Sequence, residues 1–254
     1  MKEFIGIIPA RYASSRLPGK PLADICGKSM IRRVYERVSL ILPHLIVATD
    51  DQRIMDEINS FNGKAIMTSV EHNSGTDRCN EAADIYISSL AKFKPEADYV
   101  IINIQGDEPL IHHEQIQLLM HCFDDPSTEI ATIVKKIDDQ ETLFNPNNPK
   151  VLINDNSEAI YFSRATIPYL RNFPAEVWLQ NHTFYKHIGM YAYRFDILKK
   201  IAKMPGSILE KAESLEQLRW IENGIRIKVA KTEMETISID TPEDLEKVRK
   251  IIVN

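Results

Sequence analysis

The sequence predicts an α/β protein built on a doubly wound, mostly parallel sheet flanked by helices, with a smaller irregular β excursion. Three observations carry this prediction. Short β-rich runs alternate with amphipathic helical stretches through the first half of the chain. The runs Phe4–Ile8, Leu45–Thr49 and Tyr99–Ile104 are almost unbroken apolar segments, as strands covered on both faces require. Polar loops follow these runs, and in a doubly wound sheet the carboxyl ends of the strands are where ligands bind.

In chain order, Phe4-Ile5-Gly6-Ile7-Ile8 is the first strand. Ser29 fits the N-cap of a helix that puts Ile31, Val34, Val38 and Ile41/Leu42 on one face. Leu45–Thr49 follows as a strand, 51–61 as a helix and 64–68 as a short strand. A loop leads into a long helix expected from about 77 to 93, with Ser74, Thr76 or Asp77 as its cap, and then the strand at 99–104. In the second half, 130–137 and 151–154 read as strands on either side of the breaker cluster Asn145-Pro146-Asn147-Asn148-Pro149. The segments 161–168 and 187–193 are aromatic-rich and partly alternating, and are assigned to strands of the excursion at about 155–195. Helices are expected at about 195–203 and 214–223, and a strand at 225–231. The last helix follows Pro242, with Thr241 as its cap and Leu245, Val248 and Ile252 turned inward. No repeat, linker or low-complexity tract breaks the chain, so one domain over 1–254 is expected.

Composition narrows the function. The 254 residues are enough for a core without disulfide or metal staples, and 44% hydrophobic with 26% charged residues is ordinary for a globular chain. Glycine is scarce, nine in all, which excludes the usual glycine-rich cradles for dinucleotides or ATP. The net charge of −5 argues against a nucleic-acid partner. An anionic ligand must therefore be met by a few placed cations. Cys26, Cys79 and Cys122 are far apart and form neither a disulfide framework nor a zinc spacing, as fits a reducing cytoplasm. The opening apolar run is too short for a signal-peptide core, and no run reaches the roughly 20 apolar residues of a membrane span. A cytoplasmic protein without membrane insertion is expected.

Four loops hold candidate chemistry. The segment from Pro9 to Leu22 places Arg11, Arg16 and Lys20 beside Ser14 and Ser15, with Gly19 allowing a tight turn next to Lys20. Converging donors of this kind suit a polyphosphate, whereas the alternative is a solvated basic loop. It is not a Walker loop, because proline follows the lysine. In Gln105-Gly106-Asp107-Glu108-Pro109, Asp107 is either part of a turn or a ligand for magnesium against nucleotide phosphates. The segment His72 to Arg78 is either a helix cap alone or a cap whose Arg78 donates to a base or phosphate. In Ser238 to Leu245, Asp240 either orients a turn or is a second metal ligand.

The order of these segments is more specific than any one of them. IPARxxSxRLPGKPL, SGTDR, QGDEP and SIDTPEDL in succession resemble the nucleotide-sugar cytidylyltransferases that activate acidic sugars. The segments FNPN, YFSRATIP, KHIGMYAY and LEQLR extend the resemblance over essentially the whole chain and point to the branch that activates 3-deoxy-manno-octulosonate (Kdo). Asp77 stands where SGTxR segments more often carry glutamate, a change that keeps the acid. The resemblance implies a Rossmann-like sheet of the nucleotide-diphospho-sugar transferase type and the reaction CTP + Kdo → CMP-Kdo + pyrophosphate, a step toward lipopolysaccharide. It implies that Arg11 and Lys20 hold the triphosphate, with Ser14 as a further phosphate contact and Pro9 and Ala10 near base and ribose. Arg78 and Gln105 would read the cytosine, and Asp107 and Asp240 would hold Mg2+. Lys20, Asp107 and Arg11 are then the catalytic set. Arg164 and His187 would supply positive or donor character to an acidic sugar, and Tyr191, Glu216 and Gln217 would meet its hydroxyls. A homodimer formed through the excursion is likewise implied. Two alternatives stand beside this reading: a synthetase for another acidic sugar, of the sialic acid or amino-Kdo type, and a non-catalytic nucleotide sensor.

Overall fold

Residues 2–13, 17–72, 74–90 and 95–253 are described by the computed structural model. Its first half contains β1 (Glu3–Ala10), a short antiparallel ladder of β2 (Asp24–Ile25) and β3 (Lys28–Ser29), α1 (Met30–Ser39), β4 (Leu45–Thr49), α2 (Gln52–Ser60), β5 (Ala65–Met67), α3 (Gly75–Ser88), β6 (Tyr99–Asn103) and α4 (His113–His121). Every residue of β4 and β6 is buried, which is the signature of strands covered on both faces. Side-chain oxygens cap the helices: Ser29 accepts from the Arg32 amide, Asp51 from that of Arg53 and Ser74 from that of Asp77. Of the three cap candidates for α3 the structure selects Ser74, so the helix begins two residues before Asp77 and closes at Ser88 rather than near 93. Residues 91–94 lie outside the described residues.

The second half adds β7 (Ile130–Lys136), α5 (Gln140–Phe144), β8 (Lys150–Ile153), β9 (Ala159–Ser163), α6 (Trp178–Asn181), β10 (Tyr185–Arg194), α7 (Phe195–Ile201), α8 (Ile208–Glu213), α9 (Gln217–Glu222), β11 (Ile227–Thr232) and α10 (Pro242–Val253). Two expectations need correction here. The strand expected over 161–168 starts earlier and stops at Ser163, because the Ser163 hydroxyl and the Arg164 amide both bind the Glu213 carboxylate instead of a neighbouring strand. The helix expected over 214–223 is α9 and starts only at Gln217, and a separate helix the sequence reading did not expect, α8, precedes it. Ser214 adopts a left-handed conformation (φ 51°) that ends α8, and α9 starts afresh at Gln217.

Contacts gather the chain into two compact units, Met1–Ile116 with Tyr193–Ala202 and Thr236–Asn254, and Gln117–Ala192 with Lys203–Glu235. In the first unit the strands run in the order β6-β1-β4-β5, all parallel, with Ile7 of β1 opposite both Ile46 of β4 and Asn103 of β6. The chain steps from β1 to β4 to β5 in one direction and then crosses back to lay β6 on the other side of β1. That reversal opens a crevice beyond the carboxyl ends of β1 and β6. The same unit includes α10, whose Leu245 and Val248 pack with Ile25, Met30 and Ile239 in one apolar cluster.

In the second unit β7 lies between β11 and β10, and β11 runs parallel to β7. There β8 is antiparallel to both β10 and β9, and Ile137, Leu143, Trp178 and Phe184 form a separate core. The mostly parallel α/β architecture read from the sequence is thus the one the structure has. None of the described helices is long and apolar enough to cross a membrane.

Candidate active site

The crevice at the β1–β6 switch point is a pocket of ≈ 380 Å³. Pro9, Ala10 and Arg11 form one wall as β1 runs out, and Gln105, Gly106 and Asp107 form the other as β6 ends. The two walls approach closely. A Cβ on Gly106 would lie 3.1 Å from the Pro9 carbonyl oxygen and 3.3 Å from Ile8 Cγ2, so a residue without a side chain is needed there. Lys20 enters from the loop after β1. Gly19, at φ 67°, turns the backbone in the left-handed region, and the Lys20 amide bonds to the Leu17 carbonyl.

At the centre of the pocket Lys20 Nζ donates to Asp107 Oδ2 at 2.6 Å and to Asp240 Oδ1 at 3.0 Å. Asp240 is brought there by the packing of α10 and by a backbone bond from the Ile239 amide to the Asp107 carbonyl at 2.9 Å. Thr241 caps α10 through the Asp244 amide, as expected, and Asp244 Oδ2 in turn accepts from the Asp240 and Thr241 amides. Two carboxylates therefore already converge on one cation, with the lysine ammonium in the position of a stand-in ion. That donor set fits a divalent cation of the magnesium kind, which binds one or two protein carboxylates and takes its other oxygens from phosphate and water. Among the described residues there is no group of three or more His, Cys, Asp or Glu side chains that could form a complete protein cage.

The other expected nucleotide contacts divide. Arg11 is exposed and reaches the His72 carbonyl through Nη1 at 3.4 Å. Ser14, with Ser15 and Arg16, falls outside the described residues. Arg78 is not among the side chains lining the pocket. It is 1% exposed, and its guanidinium is held by Thr68 Oγ1 at 2.5 Å and Asp50 Oδ2 at 2.7 Å. Asp50 and Thr68 are residues the sequence reading missed, although an acid directly after the apolar run of β4 is the same signal that marked Asp107 after β6. Tyr12 was missed too. Its carbonyl accepts from the Gly19 amide, and its ring is covered by Arg53 at 3.3 Å from the ring centre. Asn103, in the last position of β6, is buried beside Gly75 with no hydrogen-bond partner for its Oδ1 among the described residues.

The five expected sugar contacts all lie in the second unit. His187 is packed between the rings of Phe162 and Tyr191, and burial pushes its imidazole down to about 3. The expectation of positive character at His187 is thereby corrected, since the ring is neutral at physiological pH. Its tautomer follows from the partners. The Thr132 hydroxyl spends its hydrogen on the Met190 carbonyl (2.8 Å), so His187 Nε2, 3.0 Å away, must donate to Thr132 Oγ1. Burial likewise holds Tyr191 well above the ordinary phenol range, so it is a neutral hydroxyl.

Arg164 gives Nε to the Glu213 carbonyl (2.7 Å), Nη1 to that of Pro146 (3.1 Å) and Nη2 to that of Ser214 (3.3 Å). It acts as a clamp on the turn that launches α9. At the start of α9 Glu216 is paired with Arg219 at 2.5 Å, and Gln217 is buried with no partner for Nε2 among the described residues. A buried, unsatisfied amide is a ready donor for a ligand oxygen.

A sequence profile of the cytidylyltransferases matches residues 5–227. The 3-deoxy-manno-octulosonate cytidylyltransferase of Parabacteroides distasonis is 57% identical, covering 100% of each chain. That of Phocaeicola vulgatus is 54% identical over 98% of this chain and 97% of its own. The solved structure of a CMP:2-keto-3-deoxy-manno-octonic acid synthetase complexed with CTP superposes with a TM-score of 0.88 at 41% identity, over 99% of both chains.

Proposed function

This chain belongs to the cytidylyltransferase family, and on that premise we propose that it transfers CMP from CTP to the anomeric hydroxyl of Kdo, giving CMP-Kdo and pyrophosphate. The observation that carries the reading is the pocket at the β1–β6 switch point, where Lys20, Asp107 and Asp240 meet. The hydroxyl oxygen attacks the α-phosphorus as its proton passes to water, the bond from the α-phosphorus to the oxygen of the β-phosphate breaks, and pyrophosphate leaves with the electron pair. Such a transfer is catalysed mainly by alignment and charge neutralisation.

Arg11 and Lys20 hold the triphosphate, and the ends of β1 at Pro9 and Ala10 bound the nucleoside. Gln105 reads the cytosine, while Arg78, buried and held by Asp50 and Thr68, does not face the pocket. Asp107 and Asp240 would hold Mg2+, which supplies charge neutralisation on the phosphate oxygens and acidifies the attacking hydroxyl. No histidine base is then required. In the second unit the sugar hydroxyls are met by the neutral His187 and Tyr191 and by Glu216 and Gln217, while Arg164 positions the turn that carries the last two.

Pyrophosphate release with CTP and a panel of acidic sugars tests the assignment. Turnover is expected with Kdo and is expected to fall steeply with a nine-carbon acid. Equal or better turnover with the nine-carbon sugar replaces the Kdo reading by another member of the family. We propose in addition that the chain forms a homodimer. Ile160, Tyr169 and Phe173 are 52%, 74% and 44% exposed in the expected excursion, side chains that a second copy would cover. Light scattering at twice the monomer mass is the expected result, and monomer mass rejects it.

A further inference from the structure

We propose that Lys20 is a built-in counter-cation that closes the Asp107–Asp240 pair to divalent cations until nucleotide arrives, so that metal and nucleotide enter together. This rests on the reading of the pocket as a metal–nucleotide site and adds an order of events to it. Lys20 Nζ lies 2.6 Å from Asp107 Oδ2 and 3.0 Å from Asp240 Oδ1. The lysine side chain is only 14% exposed, against 29% and 38% for the two acids. These are charge-assisted bonds with limited screening, the stronger kind.

Occupancy of the two oxygens that Lys20 holds, Asp107 Oδ2 and Asp240 Oδ1, is exclusive. A magnesium ion sits about 2.1 Å from each ligand oxygen, and an ammonium hydrogen-bonded to those same oxygens would overlap it and repel it. Among the described residues the charges lining the pocket also balance: Arg11 and Lys20 against Asp107 and Asp240. A bare cation therefore meets no net attraction there. A metal–triphosphate complex changes both terms, because its phosphate oxygens are a second acceptor set for Lys20.

The lysine backbone has little freedom to follow. Gly19 is turned at φ 67°, the Lys20 amide is bonded to Leu17 and Pro21 comes next. The ammonium leaves by rotation of its own side chain, and the two carboxylates pass to the metal as the lysine passes to the phosphates. Arg11 cannot take over the stopper's place from where it stands, since its Nη1 is directed at the His72 carbonyl.

The test is Mn2+ binding, followed by electron paramagnetic resonance without nucleotide, in the native protein and in Lys20→Met and Lys20→Gln. The Asp107→Asn change in each background identifies the site. Weak Asp107-dependent binding is expected for the native protein. Binding about tenfold or more tighter is expected in each Lys20 variant, the scale of releasing one charge-assisted pair. Melting curves verify that the variants are folded.

Unchanged or weaker Mn2+ affinity in folded Lys20 variants overturns the counter-cation role and leaves the proposed reaction standing. Tight Asp107-dependent binding by the native protein alone does the same, and needs no variant of Lys20. If a non-hydrolysable CTP analogue brings no Asp107-dependent Mn2+ signal even in the native protein, the metal reading itself falls and the inference with it.

Discussion

Asp107 and His187 show what single side chains decide. Asp107 lies in the loop just beyond the buried strand β6 and faces the pocket with its partner acid. Asp107→Asn is expected to lower kcat by about 10³ or more while CTP binding changes by less than about tenfold, because neutralisation of developing charge is lost and most phosphate contacts remain. Steady-state pyrophosphate release and equilibrium CTP binding measure the two effects, and unchanged turnover would remove the aspartate from the chemistry.

For His187 the pH dependence has a definite sign. Unfolded, its imidazole binds a proton near the ordinary value of 6.5; folded, burial delays this to about 3. The stability contributed by keeping it neutral is complete above 6.5 and is lost as pH falls from there toward 3. At pH 5 the loss amounts to about 2 kcal/mol. Urea unfolding at pH 7.5 and pH 5 is expected to show that difference in the native chain and to show it reduced in His187→Gln. The same burial means that the KM for sugar has no step from this histidine near neutral pH.

Elements were legible where their signals are local. An apolar run bounded by polar residues located β4 at its observed limits, and Ser29 announced α1 because capping needs only a hydroxyl three residues before the amide it serves. Ser214 gave no such warning. A left-handed residue is expected at glycine, and serine in that conformation, fixed by the α8–α9 turn, carries no sequence mark. Site residues follow the same division. Lys20 and Asp107 stood out in their loops, whereas Gln105 came only with the family resemblance. The bond of Lys20 to Asp240 spans 220 residues, and Arg78 reaches Asp50 across 28, so both depend on how strands and helices stack and not on any local pattern. Asp240 could be read from its own loop as either a turn residue or a ligand, and only the family resemblance chose between the two.

At the loop after β1, Gly19→Ala tests an element directly. A Cβ there would come 3.0 Å from Tyr12 Oη at a positive φ. The substitution is expected to cost about 1–2 kcal/mol in stability and to raise the KM for CTP more than it changes kcat. Denaturation and initial rates read the two outcomes. An Ala at 19 with native KM would show that the turn does not place Lys20.

Across the whole chain, the site depends on a helix far from it in sequence. α10 is held by Leu245 and Val248 against Ile25 and Met30, and Arg249 fastens it further through the Asp24 carbonyl. Leu245→Ala is expected to cost about 2–4 kcal/mol as a buried truncation. It should also reduce kcat while leaving the KM for CTP within a few-fold, because Asp240 moves and the β1 wall does not. A variant that loses stability with native kcat would separate α10 packing from carboxylate placement.

The lateness of Asp240 in the chain has a consequence for how the enzyme is made. Lys20 and Asp107, 87 residues apart, are both synthesised before the chain is half complete. The second acid comes near the end, on the segment that lays α10 over Ile25 and Met30. A nascent chain can thus assemble β1, β4, β5 and β6 and the walls of a nucleotide pocket well before it owns both carboxylates. On the proposed roles, a polypeptide stalled or clipped short of residue 240 keeps both walls of the pocket and one carboxylate of the pair, and is expected to bind nucleotide without transferring it.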